Sequence, residues 1–307
     1  AIQGKLVEQR PEEGTGEELY RQIQAEKQAL IKAGKIKKEK PLPEIAEDEV
    51  PFEIPEGWKW VRLQNMSEQI VDCPHSTPRY YDTDTGYYVI GTKCMGAQGD
   101  ITRLFCTDEE TYIRRIDRLV PQENDIVYSR EGSIVCRAVI LPKDKKICLG
   151  QRVMLIRPGT HILQRYLQLF LMCNHTVKHL TQNYKGVGVK HINVADVCSL
   201  PIPLPPLAEQ KRIVARLEEI LPLCERLKCG EKIKTENKIN HDCRHKEMTC
   251  SSCREKEAGE KCIADGILIG CKSFYYVFRY LDEETRMPVY TGDQKQYETA
   301  IDDYIKK

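Results

Sequence analysis

Residues 200–221 read LPIPLPPLAEQKRIVARLEEIL, and four of the six positions from Pro201 to Pro206 are proline. Proline fixes φ, restricts the residue before it and offers no N–H, so this run predicts a stiff, extended lead-in. A helix is expected to begin abruptly after it. Ile213, Ile220 and Leu227 recur every seven residues, with Leu217 and Cys224 between them. That is one apolar seam at heptad spacing in a charged background. Pro222 is expected to kink it. A rigid segment feeding a one-sided helix suits a globular head mounted on a helical spacer. It equally suits an amphipathic helix packed on its own domain, and periodicity leaves both open.

At 307 residues the chain has room for about two domains. Its net charge of +1 gives no global basic signal for a nucleic acid. It contains no run of 18 apolar residues and no secretory signal, so a cytoplasmic protein is expected. The first residue is Ala1, inside a helical phrase, so the chain is expected to be part of a longer protein. Many of the fourteen cysteines, such as Cys136, Cys148 and Cys198, sit in apolar contexts. They read as reduced, buried thiols rather than a disulfide framework.

Thr15 and Glu18 form a candidate capping box, followed by a stripe of Leu19, Ile23 and Leu30 ending near Gly34. Residues 35–49 are charged in both signs and contain Pro41 and Pro43, which predicts a solvated linker. Residues 51–205 read as one α/β domain with more strand than helix. Runs at 87–91, 125–129, 134–141 and 153–156 are rich in β-formers and bounded by turn residues. Residues 163–179 read as a single helix with Leu167, Phe170, Leu171 and Val177 inward. Beyond Cys229 a polar, cysteine-rich stretch leads to SFYYVFRY at 273–280, a strand, then a turn at 282–285, a partner strand at 288–290 and a helix at 296–306.

The phrase LPIPLPPLAEQKRIV closely resembles the end of a target recognition domain in type I restriction–modification specificity subunits. VPFEIPEGWKWVRL at 50–63 is similar to the opening strand of that domain. DIVYSREGSIVCRAVI at 125–140 and LGQRVMLIRP at 149–158 look like two internal strand motifs. Residues 1–43 look like the helical region between two such domains. The resemblance covers roughly residues 1–228.

It implies an α/β (α+β) DNA target recognition domain flanked by long helices that form a coiled-coil spacer. The tail, outside the resemblance, reads as a small cysteine-rich α+β unit of unknown fold. The expected divisions are 1–50, a helical region and linker; 51–205, the recognition domain; 206–228, the spacer helix; and 229–307, the unassigned tail. One head with helical pieces at both ends resembles the C-terminal half of a specificity subunit, or a half-subunit that pairs with a second one. Such a subunit binds one half of a bipartite site on double-stranded DNA and directs adenine-N6 methylation or restriction without catalysing either. Modification (methyltransferase) subunits would bring S-adenosylmethionine; the restriction (motor/nuclease) subunit would bring ATP and Mg²⁺. Consistent with this, the sequence has no phosphate-loop or dinucleotide fingerprint, no Asn-Pro-Pro-aromatic motif and no convincing nuclease carboxylate–lysine cluster. No catalytic residue is assigned.

A recognition domain reads base edges with Arg, Lys, Asn, Gln or hydroxyl side chains and grips phosphates with Lys and Arg. Residues 51–205 hold nineteen Lys+Arg against sixteen Asp+Glu, so a basic face must arise from folding. The candidates lie in loops beside strands: His75 and Arg79; Ser129 and Arg130; Gln151 and Arg152; and Tyr184, Lys185, Lys190 and His191 in a glycine-broken basic loop. For each, an ordinary surface or turn role stands beside DNA contact. Leu207, Ile213, Leu217, Ile220 and Leu227 are candidates for a subunit interface, with packing on their own domain as the alternative. In the tail, His241, His245, Cys250 and Cys253 have spacing suited to tetrahedral Zn²⁺, set against a reduced linker that binds no metal. Two other functions stay open: a protein-interaction scaffold that no longer reads DNA, and a zinc-dependent enzyme centred on the tail.

Overall fold

The computed structural model describes residues 1–132, 134–182 and 191–228, with the backbone alone for 225–228. The chain divides into two compact units, Ala1–Glu219 and Ile220–Lys307. The described elements run in the order α1 (Gly16–Lys32), β1 (Lys59–Arg62), α2 (Leu63–Met66), β2 (Ser67–Asp72), β3 (Tyr87–Ile90), β4 (Phe105–Cys106), α3 (Glu109–Arg115), β5 (Ile126–Ser129), β6 (Ala138–Ile140), β7 (Lys146–Leu149), β8 (Val153–Pro158), α4 (Gln164–Met172), α5 (Asn174–Thr181), α6 (Val194–Ser199), β9 (Pro201–Leu204) and α7 (Leu207–Lys228).

The centre is a four-stranded antiparallel sheet ordered β2-β8-β5-β6. Its side chains divide between two cores at a period of two. Ile126, Tyr128, Ala138, Met154 and Ile156 face a helical layer that includes Leu19 and Ile23 of α1 and Leu167, Phe170 and Leu171 of α4. Val127, Val139, Val153 and Leu155 face the other way, onto Ile90, Ile147 and Leu149 of a three-stranded sheet ordered β4-β3-β7. A sheet covered on both faces needs apolar residues at every position, which is why 126–128 and 153–156 read as continuous apolar runs.

The proline-rich segment is itself a strand. β9 pairs antiparallel with β1, Pro201 opposite Arg62 and Pro203 opposite Trp60. Leu63 N–H donates to Leu200 C=O at 2.9 Å. Alternation of narrow and wide pairs then places both prolines where a ladder needs no N–H. The alternation Pro-x-Pro therefore fits an edge strand at no cost in hydrogen bonds.

The Thr15–Glu18 capping box forms as expected. Gly34, at φ +68°, closes α1 with Gly34 N–H to Ile31 C=O and Lys35 N–H to Leu30 C=O, the paired bonds of a Schellman motif. At Gly16 the helix meets β1 and β9 so closely that a Cβ would lie 2.2 Å from Leu204 O. Residues 1–50 thus belong to the same compact unit as the head rather than standing apart from it.

Three expectations are corrected. Residues 35–49 are not a solvated tether: Ile36 is buried, and Lys40, Pro43 and Glu44 present carbonyls to Gln64 and Arg62. The reading of mixed charge missed this because it ignores the backbone acceptors. Residues 163–179 form two helices, broken at Cys173 in an extended conformation. The expected strand at 134–141 is confined to Ala138–Ile140.

The seam of α7 is used within the chain. Ile213 and Val214 are buried against Trp58 and Tyr166, with Leu217 packed on the same cluster, and Leu207 rests on the main core. Ile213, Leu217 and Leu207 therefore cover this domain rather than present a free face. Ile220 is half-buried, and the side chain of Leu227 lies outside the described residues. The helix continues through Pro222. The strands and helix expected in the tail, and His241, His245, Cys250 and Cys253, also lie outside the described residues. Among those residues no helix is long and apolar enough to cross a membrane.

Candidate nucleic-acid interface

Antiparallel pairing places the end of β2, the end of β5 and the start of β8 together, with Asp72 opposite Met154 and Ser129 opposite Val153. Parallel pairing of β3 with β7 brings Gly91 and Gly150 to the same place, where Gly150 N–H donates to Ile90 C=O at 2.6 Å. The candidate loops at 129–132 and 151–152 and residues 73–77 of the 73–80 loop, together with His191, therefore converge on one end of the central sheet, while Arg79 lies beside Thr107 and the start of β3.

Arg130 is the hub. Its guanidinium holds both Asp72 oxygens at 2.9 Å, Glu131 Oε1 at 2.7 Å and Ile192 O at 3.4 Å. Its backbone N–H donates to Arg152 C=O and its C=O accepts from Ile192 N–H. His191 Nδ1 lies 3.0 Å from Glu131 Oε1, and His75 Nε2 lies 3.3 Å from Asp72 Oδ2. Gln151 Nε2 donates to His75 O at 2.8 Å, and Thr77 Oγ1 stands 3.5 Å from Gln151 Oε1. One ion cluster around the buried Arg130 thus ties four chain segments together.

This placement sorts the candidates. Arg130 is 2 % exposed and Ser129 is fully buried, its hydroxyl accepting from Arg137 N–H. In this conformation neither side chain offers a group to a ligand, and both act as internal supports. His75, Arg79, Arg152 and His191 are exposed and Gln151 is half-buried. Arg79 lies 3.8 Å from Glu110, a loose contact between exposed groups. Arg152 has no ion pair or hydrogen bond from its side chain among the described residues, and its backbone sits at φ +66°. That left-handed conformation is strained for a residue with a Cβ. Tyr184, Lys185 and Lys190 lie outside the described residues.

Sequence reasoning missed three basic residues here. Arg115, from the end of α3, is buried and donates to Leu149 O (2.6 Å), Ser76 O (2.9 Å), Ser76 Oγ (3.2 Å) and Pro74 O (3.2 Å). Burial pulls its pKa below the ordinary arginine value. Arg118 is exposed and reaches Asp72 O at 3.3 Å, and Lys93 is exposed two residues beyond Gly91. In the sequence EETYIRRIDR nothing separates Arg115 from its surface neighbours, because its acceptors lie some forty residues upstream and in β7.

Away from this end, the two specific phrases of the sequence bind each other. Trp58 Nε1 donates to Glu209 Oε2 at 2.9 Å, and Gln9 Nε2 donates to Glu209 Oε1 at 2.6 Å. Gln210 is fully buried; its Oε1 accepts from Leu163 N–H and its Nε2 donates to Pro205 O. Burial raises the Glu209 pKa, opposed by those two donors. The start of α7 is therefore fixed to the head by buried polar groups that all have partners.

The chain is similar to known proteins. A family model described as the type I restriction modification DNA specificity domain matches residues 55–237. The specificity subunits of the type I restriction enzymes EcoAI and EcoEI, both from Escherichia coli, are 31% and 30% identical to the chain over 241 residues, 74% of its length. The chain spans about two fifths of the length of these relatives, 39% and 40%. The crystal structure of the HsdS subunit from Thermoanaerobacter tengcongensis superposes with a TM-score of 0.44 at 21% identity, covering 59% of this chain and 45% of that one. On the strength of the family match, this chain belongs to the type I restriction–modification DNA specificity family.

Proposed function

We propose that the chain is the DNA-reading part of a type I specificity subunit, binding one half of a bipartite site through the loop end of its central sheet. The observation that carries this is the convergence of loops 73–77, 129–132 and 151–152 with His191 at that end. There exposed Arg118, Arg152 and both histidines adjoin the neutralised ion cluster of Arg130, with Lys93 two residues beyond Gly91. Net charge is near zero over the whole chain, so the folding of these side chains onto one end is what makes a phosphate-gripping face. Exposed loops on a rigid sheet suit base reading in the major groove, with cations holding register on the backbone.

In this reading the chain performs no catalysis. Modification subunits would use S-adenosylmethionine to methylate adenine N6, and a restriction subunit would use ATP and Mg²⁺. The spacer role falls to α7, whose first turns are locked to the head at Glu209 and Gln210, with its continuation free to pair as a coiled coil. A second specificity half would supply the other half-site. Zinc at His241, His245, Cys250 and Cys253 is a separate proposal, to be checked by metal analysis of the purified protein.

The test is long-read methylation profiling of DNA from cells that co-express this chain with its cognate modification subunit. A new N6-methyladenine motif is expected. A symmetric split motif means two copies pair, and an asymmetric one means another head contributes. No methylation from a complex that co-purifies would overturn DNA reading in favour of a scaffold.

A further inference from the structure

Among the described residues four cationic side chains of this unit are buried, and three have a carboxylate. Lys27 holds Glu39, Arg62 holds Glu49, and Arg130 holds Asp72 and Glu131. Arg115, 6 % exposed, has none among the described residues. Its four bonds go to three carbonyls and one hydroxyl. The ionisable groups that act on it electrostatically are Cys148, Cys73 and Tyr80. Burial pushes the Cys148 thiol up to about 11 and raises the other two, so all three are neutral near pH 7. A buried charge without a counter-ion is costly, and such a charge is a mark of function.

The turn above it has the complementary property. The backbone N–H groups of His75, Ser76 and Thr77 find no acceptor among the described residues. Arg115 binds the carbonyls of Pro74 and Ser76, which belong to the same peptide groups as the N–H of His75 and of Thr77. Drawing electron density to those carbonyls strengthens the attached N–H donors. Consecutive free N–H groups over a fixed positive charge suit an anion.

We propose that the 75–77 turn, backed by Arg115, is a phosphodiester-binding site that takes one backbone phosphate of the DNA. The inference rests on the DNA-reading function proposed above and assigns a residue outside the sequence-derived set. Arg115 acts as a positioning residue: it supplies charge and shapes the turn, while the turn's N–H groups touch the phosphate. Such a contact carries no sequence information.

The test uses the full chain assembled with its cognate modification subunits, titrated over a salt series on its methylated-motif duplex and on a scrambled duplex. Arg115→Gln is expected to flatten the salt dependence by about one unit of slope, a loss of roughly fivefold near 0.15 M salt. The loss should be equal on both duplexes, so that the preference between them is kept. Arg115→Lys, which retains the charge, should keep most of the affinity. Ser76→Asp gives Arg115 an internal counter-ion, since Ser76 Oγ lies 3.2 Å from its Nη1. It should raise the unfolding midpoint and weaken DNA binding, and it should leave the midpoint unchanged in the Arg115→Gln background.

Wild-type affinity and slope in Arg115→Gln would overturn the proposal. If that variant does not fold, a folded Ser76→Asp complex that binds like wild type would overturn it. Stabilisation of the wild type alone by inorganic phosphate at matched ionic strength, with all variants binding DNA alike, would assign the turn to a free anion and overturn the DNA assignment. A wild-type complex that prefers no duplex would sink the DNA-reading function, and this site with it. Recognition by wild type together with an unaffected Arg115→Gln sinks this site alone.

Discussion

Two buried arginines stand at the same end of the molecule and do different work. Arg130 lies among carboxylates: Asp72 and Glu131 neutralise it, and the cluster binds β2, β5, the start of β8 and His191 to one another. Arg115 lies among carbonyls, under the 74–76 turn, and leaves a net positive charge. Their difference shows that burial of a charged residue does not by itself identify its role. A neutralised charge holds elements together, and its removal exposes its partners' cost. An uncompensated charge contributes less to the fold and projects its field outward.

The comparison is broken most directly by removing each charge. Arg130→Ala leaves Asp72 and Glu131 without their cation, and unfolding free energy should fall by about 3 kcal/mol or more. Urea unfolding of the full chain measures it. The sequence alone would have chosen this substitution to weaken DNA binding in a folded head, and its burial makes loss of the head the expected outcome instead. The double variant Arg130→Met, Asp72→Asn should be less damaging than the sum of its parts. Additivity would mean that the cluster contributes nothing as a unit.

Arg115→Met should cost less, about 1–3 kcal/mol, because it strands neutral carbonyls rather than carboxylates. A loss equal to that of Arg130→Ala would erase the distinction between the two sites.

Arg62 offers an intermediate case on the opposite side of the head, paired with Glu49 and with backbone carbonyls. The hydrogen bond from Arg62, with that from Ala46 N–H, lowers the Glu49 pKa to about 2 from 4.5. A depressed carboxylate pKa stabilises the fold above the unfolded value of 4.5 and loses that contribution as pH falls toward 2. Glu49→Gln should therefore lower the urea midpoint near neutrality, and the variant and wild type should converge in acid. A constant gap across that window would rule out the linkage.

The smallest effect on stability is expected at Arg152, exposed and strained at φ +66°. Arg152→Gly relieves the left-handed backbone, so folding free energy should change by less than about 1 kcal/mol. DNA affinity should nevertheless fall, with a salt slope shallower by about one. Unchanged DNA binding would remove Arg152 from the interface.

Local chemistry made part of this legible. Thr15 and Glu18 cap α1 because a capping box is closed by residues three apart. The apolar runs at 126–128 and 153–156 are strands because both faces of their sheet are covered. The loops that meet at the end of the central sheet could be chosen as a set, since each contains turn residues beside a strand. What escaped depended on distant partners. Pro201 and Pro203 look like a stiff lead-in until β1 supplies a ladder whose alternate positions need no N–H. Residues 35–49 look like a tether until Arg62 and Gln64 take up their carbonyls.

The sequence by itself determined the family and the loops from which candidates for a reading surface were drawn. Those features are written in short phrases and in spacings of two, three and seven residues. Only the tertiary structure decided that Arg130 is enclosed while Arg152 is exposed, that Ile213 covers Trp58 rather than a partner, and that Arg115 is buried among carbonyls. The physical reason is that a side chain's solvent exposure and charge balance are set by groups far away in sequence. Arg130 and Asp72 are 58 residues apart, and no local pattern records which carboxylate, carbonyl or ring will meet a given arginine.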